Sequence, residues 1–193
     1  MKKLAAKARR LLAERILEIG HLPYRDTPIR GGPTRAQWAL LRYLSRANQF
    51  SRTVSAFRAY YGVTTGTASE TARRLVERGL LERRRSAADA RSVRLDLTPK
   101  AWAVMKADPA RMLKDLFGGL PASQAIALAA ALEEVAVGFA QRQGRRAFGS
   151  CGGCRHFQRE SRPQGRDRPG CTLMAVRLAR AELHALCARF EAP

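Results

Sequence analysis

The chain has 193 residues, of which 46% are hydrophobic, and its 36 Lys plus Arg against 16 Asp plus Glu give a formal charge of +20. That size suits one sizeable domain with a small appendage, and the apolar content excludes wholesale disorder. A solubilising surface mixes its signs more evenly, so the excess charge points to a polyanion, nucleic acid ahead of an anionic membrane surface.

In chain order, Leu4, Ala8, Leu11, Leu12, Ile16 and Ile19 fall at helical spacing with basic residues between them, which predicts an amphipathic N-terminal helix ended by His21-Leu22-Pro23. His21 reads as a helix-end residue. Arg30-Gly31-Gly32-Pro33 predicts a turn, and Thr34 an N-cap for a helix that carries Trp38, Leu41 and Leu44 on one face. Val54 to Tyr61 predicts a short helix stopped by Gly62, and Thr64 to Arg78 a second one stopped by Gly79. The period then changes to two. Val93, Leu95 and Leu97 alternate with Arg94 and Asp96, a strand that Leu80 to Arg85 can pair with across a polar tip at residues 86–91.

Thr98 caps a further helix, broken by Asp108-Pro109, and another short helix runs to Phe117. After the turn Gly118-Gly119-Leu120-Pro121 comes a long alanine-rich helix from Ala122 to about Gln141. Its apolar run, Ala125 to Leu132, is stopped by Glu133 and Glu134, well short of the roughly 18 residues of a membrane span. Arg9, Arg10, Glu14 and Arg15 break up any signal-peptide apolar region. A cytoplasmic protein with no membrane partner is expected. Gln143 to Ser150 reads as a linker.

Short helix, tight turn, helix and basic hairpin is the order of a winged helix-turn-helix, whose second helix enters the major groove while the wing reaches the backbone or minor groove. Ala68, Ala72 and Leu75 are expected to pack inward. This turns Thr65, Thr67, Ser69, Glu70 and Arg73 toward DNA, with Thr64 at the helix start, where small hydroxyl residues suit phosphate and base-edge contacts. Arg83, Arg84, Arg85 and Arg91 load the hairpin with charge. Glu70 has two readings, as an acceptor for a cytosine amine or as a surface partner of Arg73 or Arg74.

Several motifs resemble the MarR family of bacterial regulators. Residues 33–44, PTRAQWALLRYL, resemble the family's opening helix, and residues 74–81, RLVERGLL, the end of its recognition helix. Asp89-x-Arg91 with the downstream Leu97-Thr98 resembles the wing signature, and Leu120-Pro121 before the long helix also fits. The resemblance spans roughly residues 5 to 143. It implies a homodimer built from the N- and C-terminal helices on a palindromic operator in double-stranded DNA, with Arg91 reaching the minor groove and Asp89 helping to hold it. Phe57 to Gly62 is bulkier than the family's usual version.

All four cysteines, Cys151, Cys154, Cys171 and Cys187, lie beyond residue 150, spaced C-x2-C-x16-C-x15-C. In a cytosolic chain such a cluster suits metal binding or redox chemistry. Four thiolates can hold a 4Fe–4S cluster, a 2Fe–2S cluster or zinc, and a thiol–disulfide switch is a further reading. Structural zinc folds commonly use two C-x2-C knuckles, and this chain has one. His156 and His184 are candidate substitutes in a zinc site, though surface histidines beside a metal account for both. Phe157, Leu173, Met174, Leu183, Leu186 and Phe190 are available to shield a cluster. The spacing is similar to that of high-potential iron–sulfur proteins, which implies a 4Fe–4S cluster with one cysteine per iron. The insert from Arg155 to Arg168 departs from that pattern.

The expected fold is mainly α (α+β): a winged helix-turn-helix with flanking dimerisation helices over residues 1–143, and a small metal-binding module over residues 144–193. The expected function is a DNA-binding transcriptional regulator whose four-cysteine iron–sulfur cluster senses redox state, oxygen or iron through the end of the dimerisation helix. One alternative keeps the regulator with structural zinc and a small aromatic effector. Another is an iron–sulfur electron-transfer protein with incidental DNA binding. No P-loop, G-x-S-x-G or telling histidine–carboxylate spacing supports an enzyme.

Overall fold

The computed structural model describes residues 2–24, 31–85, 93–160 and 168–193. The wing tip, with Asp89 and Arg91, and residues 161–167 of the basic insert lie outside these.

Helix α1 (Lys2–His21) leads through a 3-10 turn (Leu22–Tyr24) toward α2 (Arg35–Arg46). Thr34 caps α2 reciprocally: its hydroxyl accepts from the Gln37 amide, and Gln37 Oε1 accepts from the Thr34 amide at 3.0 Å. The helix-turn-helix follows as α3 (Val54–Tyr61) and α4 (Thr65–Glu77), capped by Thr53 and Thr64. Gly62 closes α3 in the left-handed region (φ 67°), where a side chain would be strained.

Strands β1 (Leu81–Arg85) and β2 (Val93–Leu97) pair antiparallel, Leu81 opposite Leu97 and Arg85 opposite Val93, and form the described part of the wing. Thr98 then caps α5 (Pro99–Met105), which has Pro99 in its first turn. Helices α6 (Arg111–Gly118) and α7 (Ala122–Arg142) follow.

Trp38, Leu40, Leu41 and Leu44 of α2, Phe57 of α3, Ala68, Ala72 and Leu75 of α4, and Leu95 of β2 form one buried cluster. Among the described residues, helices α1 and α7 contribute nothing to it. Leu12 and Leu17 of α1 and Ile126, Val135 and Phe139 of α7 are exposed, Ile126 at 71%. Among the described residues α7 is the one helix long and apolar enough, by length and composition, to cross a membrane. Glu133 and Glu134 at its middle weigh against that, since buried carboxylates in lipid are costly.

The cysteine-bearing segment does not trail away from α7. The stretch read as a linker is packed: the Phe148 ring meets Tyr60 of α3 edge-on at 5.1 Å, and β3 (Gly149–Ser150) pairs antiparallel with β7 (Leu186–Cys187). Strands β4 (Phe157–Glu160), β5 (Arg168–Cys171) and β6 (Val176–Arg177) form a second small sheet. Leu186, 9% exposed, joins the winged-helix core, and its backbone bridges to Ala47 just after α2. The last residues therefore complete a core begun near residue 38.

A testable consequence concerns stability. Leu186→Ala deletes buried methyl groups from a core lined by α2, so it should destabilise the winged helix by about 2–4 kcal/mol. A lower urea midpoint followed on helical signal would register this. An unchanged midpoint would mean that the tail does not share the core.

Candidate nucleic-acid interface and cysteine site

Helix α4 and its cap present Thr64, Thr65, Thr67, Ser69, Glu70 and Arg73 to solvent, while Ala68, Ala72 and Leu75 are fully buried. The buried trio at helical spacing fixes which face is free. Thr64 Oγ1 and Thr67 Oγ1 lie 2.8 Å apart, and the Thr67 amide donates to Thr64. One of the two readings of Glu70 is realised in this structure. Its carboxylate accepts from Arg73 Nη2 at 2.6 Å and from Arg74 Nε at 2.8 Å. These bonds, that from Arg73 first, hold its pKa down to about 2. Arg73 also pairs with Glu77. The exposed face of α4 therefore carries hydroxyls and a neutralised charge network rather than bare cations.

On β1, Arg83, Arg84 and Arg85 are exposed. Arg84 turns back to Glu82 at 2.7 Å and lies 3.7 Å from Asp96, which Arg94 also engages at 2.7 Å. Arg84 is thus tied into the strand pair more than the sequence suggested.

Cys151, Cys154, Cys171 and Cys187 line one cavity of about 20 Å³. Cys151 opens a 3-10 turn after β3, and Cys154 closes that turn by donating its amide to the Cys151 carbonyl at 3.2 Å. Cys171 ends β5 opposite Phe157, and Cys187 ends β7 opposite Gly149. Phe157, Leu173 and Met174 line the cavity as the sequence implied, and Leu178 and Phe50 join them. Leu186 instead enters the winged-helix core, and the Phe190 ring lies against Gly149, where a Cβ would come within 2.7 Å of it. His156 lines the cavity and lies 3.1 Å from Glu191, whereas His184 is exposed in a 3-10 turn outside it.

Cys151 and Cys187 are neighbours. The Cys151 thiol donates toward Cys187, which lowers the Cys187 pKa to about 6 and raises that of Cys151, burial adding to the rise. Arg189 N–H also donates to Cys187 Sγ at 3.4 Å. Among the described residues no group of three or more His, Cys, Asp or Glu side chains converges closely enough to hold a single ion. The four cysteines share a cavity without converging on one point.

Asn48, in the loop between α2 and α3, is a participant that sequence reasoning missed. It is 2% exposed and lines the same cavity, and its Nδ2 donates to Cys151 Sγ at 3.6 Å. Its Oδ1 has no partner among the described residues, a state that ordinarily costs about 1–3 kcal/mol. Its amide donates to Leu186 O at 2.9 Å, and Ser51 Oγ accepts from the Ala188 amide at 2.8 Å. Tyr43 OH fixes the same loop by donating to Ser51 O at 2.7 Å, and burial keeps that phenol protonated. No local pattern marks a residue whose sulfur partner lies 103 positions away.

Neutralising Glu70 should release Arg73 and Arg74. With Glu70→Gln, affinity for duplex DNA of arbitrary sequence should rise at low salt. The slope of log K against log salt should steepen by up to about 0.9 for each guanidinium that gains a phosphate. A fluorescence-anisotropy salt titration reads this, and an unchanged slope would remove the network from the DNA-facing surface.

Residues 32–92 match the MarR family model. Among solved structures, a MarR family protein from Bacillus stearothermophilus is 18% identical, with a TM-score of 0.50 over 70% of this chain and 94% of that one. BldR, a transcriptional regulator from Sulfolobus solfataricus, is 18% identical with a TM-score of 0.49 over 70% and 97%. BpsR of Bordetella bronchiseptica, whose DNA binding is regulated by 6-hydroxynicotinic acid, is 23% identical with a TM-score of 0.48 over 67% and 98%. No curated protein matches the chain. The chain carries the winged-helix fold of the MarR family, matched in sequence over residues 32–92, and its four cysteines all lie beyond the matched segment.

Proposed function

We propose that the chain is a DNA-binding transcriptional regulator that acts as a homodimer on a palindromic duplex site, and that Cys151, Cys154, Cys171 and Cys187 hold one 4Fe–4S cluster whose state sets DNA affinity. One observation carries the reading: the four sulfurs share a cavity whose wall includes Asn48 and Phe50 of the loop that leads into the helix-turn-helix. A single zinc needs four ligand atoms at about 2.3 Å from one point. A four-iron cluster takes each sulfur on a different iron and so suits sulfurs set around a space. The apolar wall and the Asn48 donor are the kinds of surroundings that tune such a site.

Bound there, the cluster supplies reversible one-electron chemistry and sensitivity to oxidants. The protein's own part is to couple the site to α3. Asn48 touches Cys151 with its side chain and Leu186 with its backbone, Ser51 holds Ala188, and Thr53, two residues on, caps α3. Order in the cysteine segment is thereby linked to the seat of the helix-turn-helix. This route differs from the one the sequence suggested, through the end of α7. Two recognition helices in a dimer must meet the major groove about 34 Å apart. A small tilt of α3 and α4 in each protomer is therefore enough to change affinity.

The exposed apolar faces of α1 and α7 support the homodimer, since unpartnered surfaces of this kind seek a partner. Light scattering should give about twice 21.4 kDa. A clean monomer at micromolar concentration would remove the dimer from the reading.

The cluster is tested by colour, iron and sulfide. Protein purified without oxygen should be brown and contain about four iron atoms per chain, and Cys171→Ala should lose most of both while remaining dimeric. Its operator affinity should move toward that of air-bleached wild type. Colourless protein with one zinc per chain would instead select the structural-zinc regulator with a small-molecule effector. Equal DNA binding by intact and cysteine-substituted protein, oxidised and reduced, would eliminate the switch.

A further inference from the structure

A second, wider groove of about 750 Å³ runs between α3 and the cysteine-bearing tail. One wall follows α3 from its capping Thr53 past Ser55 and Arg58 to the turn residues Gly62 and Val63. The opposite wall is the tail, with Arg145, Arg146, Phe148 and Arg189. Four guanidiniums thus face one space, all four residues are exposed, and among the described residues no carboxylate lines it. This contrasts with α4, where Glu70 and Glu77 engage the arginines.

The groove is built rather than incidental. The Arg145 guanidinium lies against Gly62, whose positive φ keeps that position open. Phe148 packs edge-on to Tyr60 and fixes the spacing of the walls. The Arg189 backbone amide donates to Cys187 Sγ, which anchors the main chain on that wall. The groove exists only while the tail is docked on α3.

Its position selects the occupant. Val63 immediately precedes Thr64, the cap of the recognition helix. When a recognition helix enters the major groove, the helix before it crosses the sugar–phosphate backbone. A cationic channel alongside α3, continuous with the start of α4, therefore lies where a DNA strand passes. We propose that this groove holds the phosphate backbone of the duplex flanking the bases faced by α4, so that the tail itself supplies phosphate contacts to the complex. The proposal rests on the DNA-binding reading above.

The test uses the full-length protein and a labelled 30-bp duplex of mixed sequence, with affinity followed against salt. The Arg146→Gln/Arg189→Gln variant should flatten the slope of log K against log salt by about 0.9 for each phosphate contact removed, roughly 2 per protomer. Arg146→Lys/Arg189→Lys keeps the charge and should keep most of the slope, which separates lost contacts from lost folding. Arg177→Gln, exposed on β6 and outside the lining, should leave the slope at the wild-type value. A glutamine variant with the wild-type slope, or an Arg177→Gln variant that flattens it equally, overturns the groove while leaving DNA binding intact. A wild type that binds no duplex at any salt overturns the DNA-binding reading, and the groove with it.

Discussion

The loop between α2 and α3 is buried and polar, and that constraint organises the molecule. Asn48 is 2% exposed and Ser51 is fully buried. Buried polar groups need partners, and leaving one unmet costs as much as a substantial fraction of a domain's stability. The partners here come largely from the far end of the chain: Leu186 accepts from the Asn48 amide, Ala188 donates to Ser51, and Cys151 accepts from the Asn48 side chain. The loop is also held from the wing side, where Leu95 N donates to Arg52 O at 2.8 Å. The same few residues thus touch the wing, the recognition unit and the cysteines.

Such an arrangement makes the tail part of the winged helix rather than cargo attached to it. Leu186 lies in the same apolar cluster as Trp38 and Leu75. An event at Cys151 or Cys187 acts on a loop one turn from α3, and α3 packs directly on α4. Helices α1 and α7, by contrast, carry apolar side chains that are exposed among the described residues.

Charge is distributed unevenly by function. On α4 the arginines are paired at i,i+3 and i,i+4 with Glu70 and Glu77, which leaves threonine hydroxyls as the leading polar groups of the helix start. In the channel beside α3 no acidic side chain among the described residues offsets the arginines. A net charge of +20 sets long-range attraction to a polyanion. Where that charge is locally unopposed is a matter of packing.

The sequence by itself determined the elements and the class of the DNA-binding half. Threonines 34, 53, 64 and 98 all cap helices, Gly62 ends α3, and the period-two pattern at Val93, Leu95 and Leu97 forms β2. These are local effects, decided by side chain–backbone bonds within a few residues and by the spacing of apolar groups. Burial of Ala68, Ala72 and Leu75 likewise followed from spacing alone. The four cysteines were legible as a group because sulfur is rare and their spacing is distinctive. Only the tertiary structure decided where that group sits. Residues 143–150 read as a linker by composition, yet Phe148 and β3 find partners on α3 and β7. Asn48 and Ser51 read as ordinary loop residues, because their roles depend on groups 103 and 137 positions away. Contacts at that separation leave no period, cap or motif in the neighbouring sequence. They exist because burying Leu186 in the core brings β7 against the loop, and the buried polar groups there must then be satisfied by whatever lies beside them.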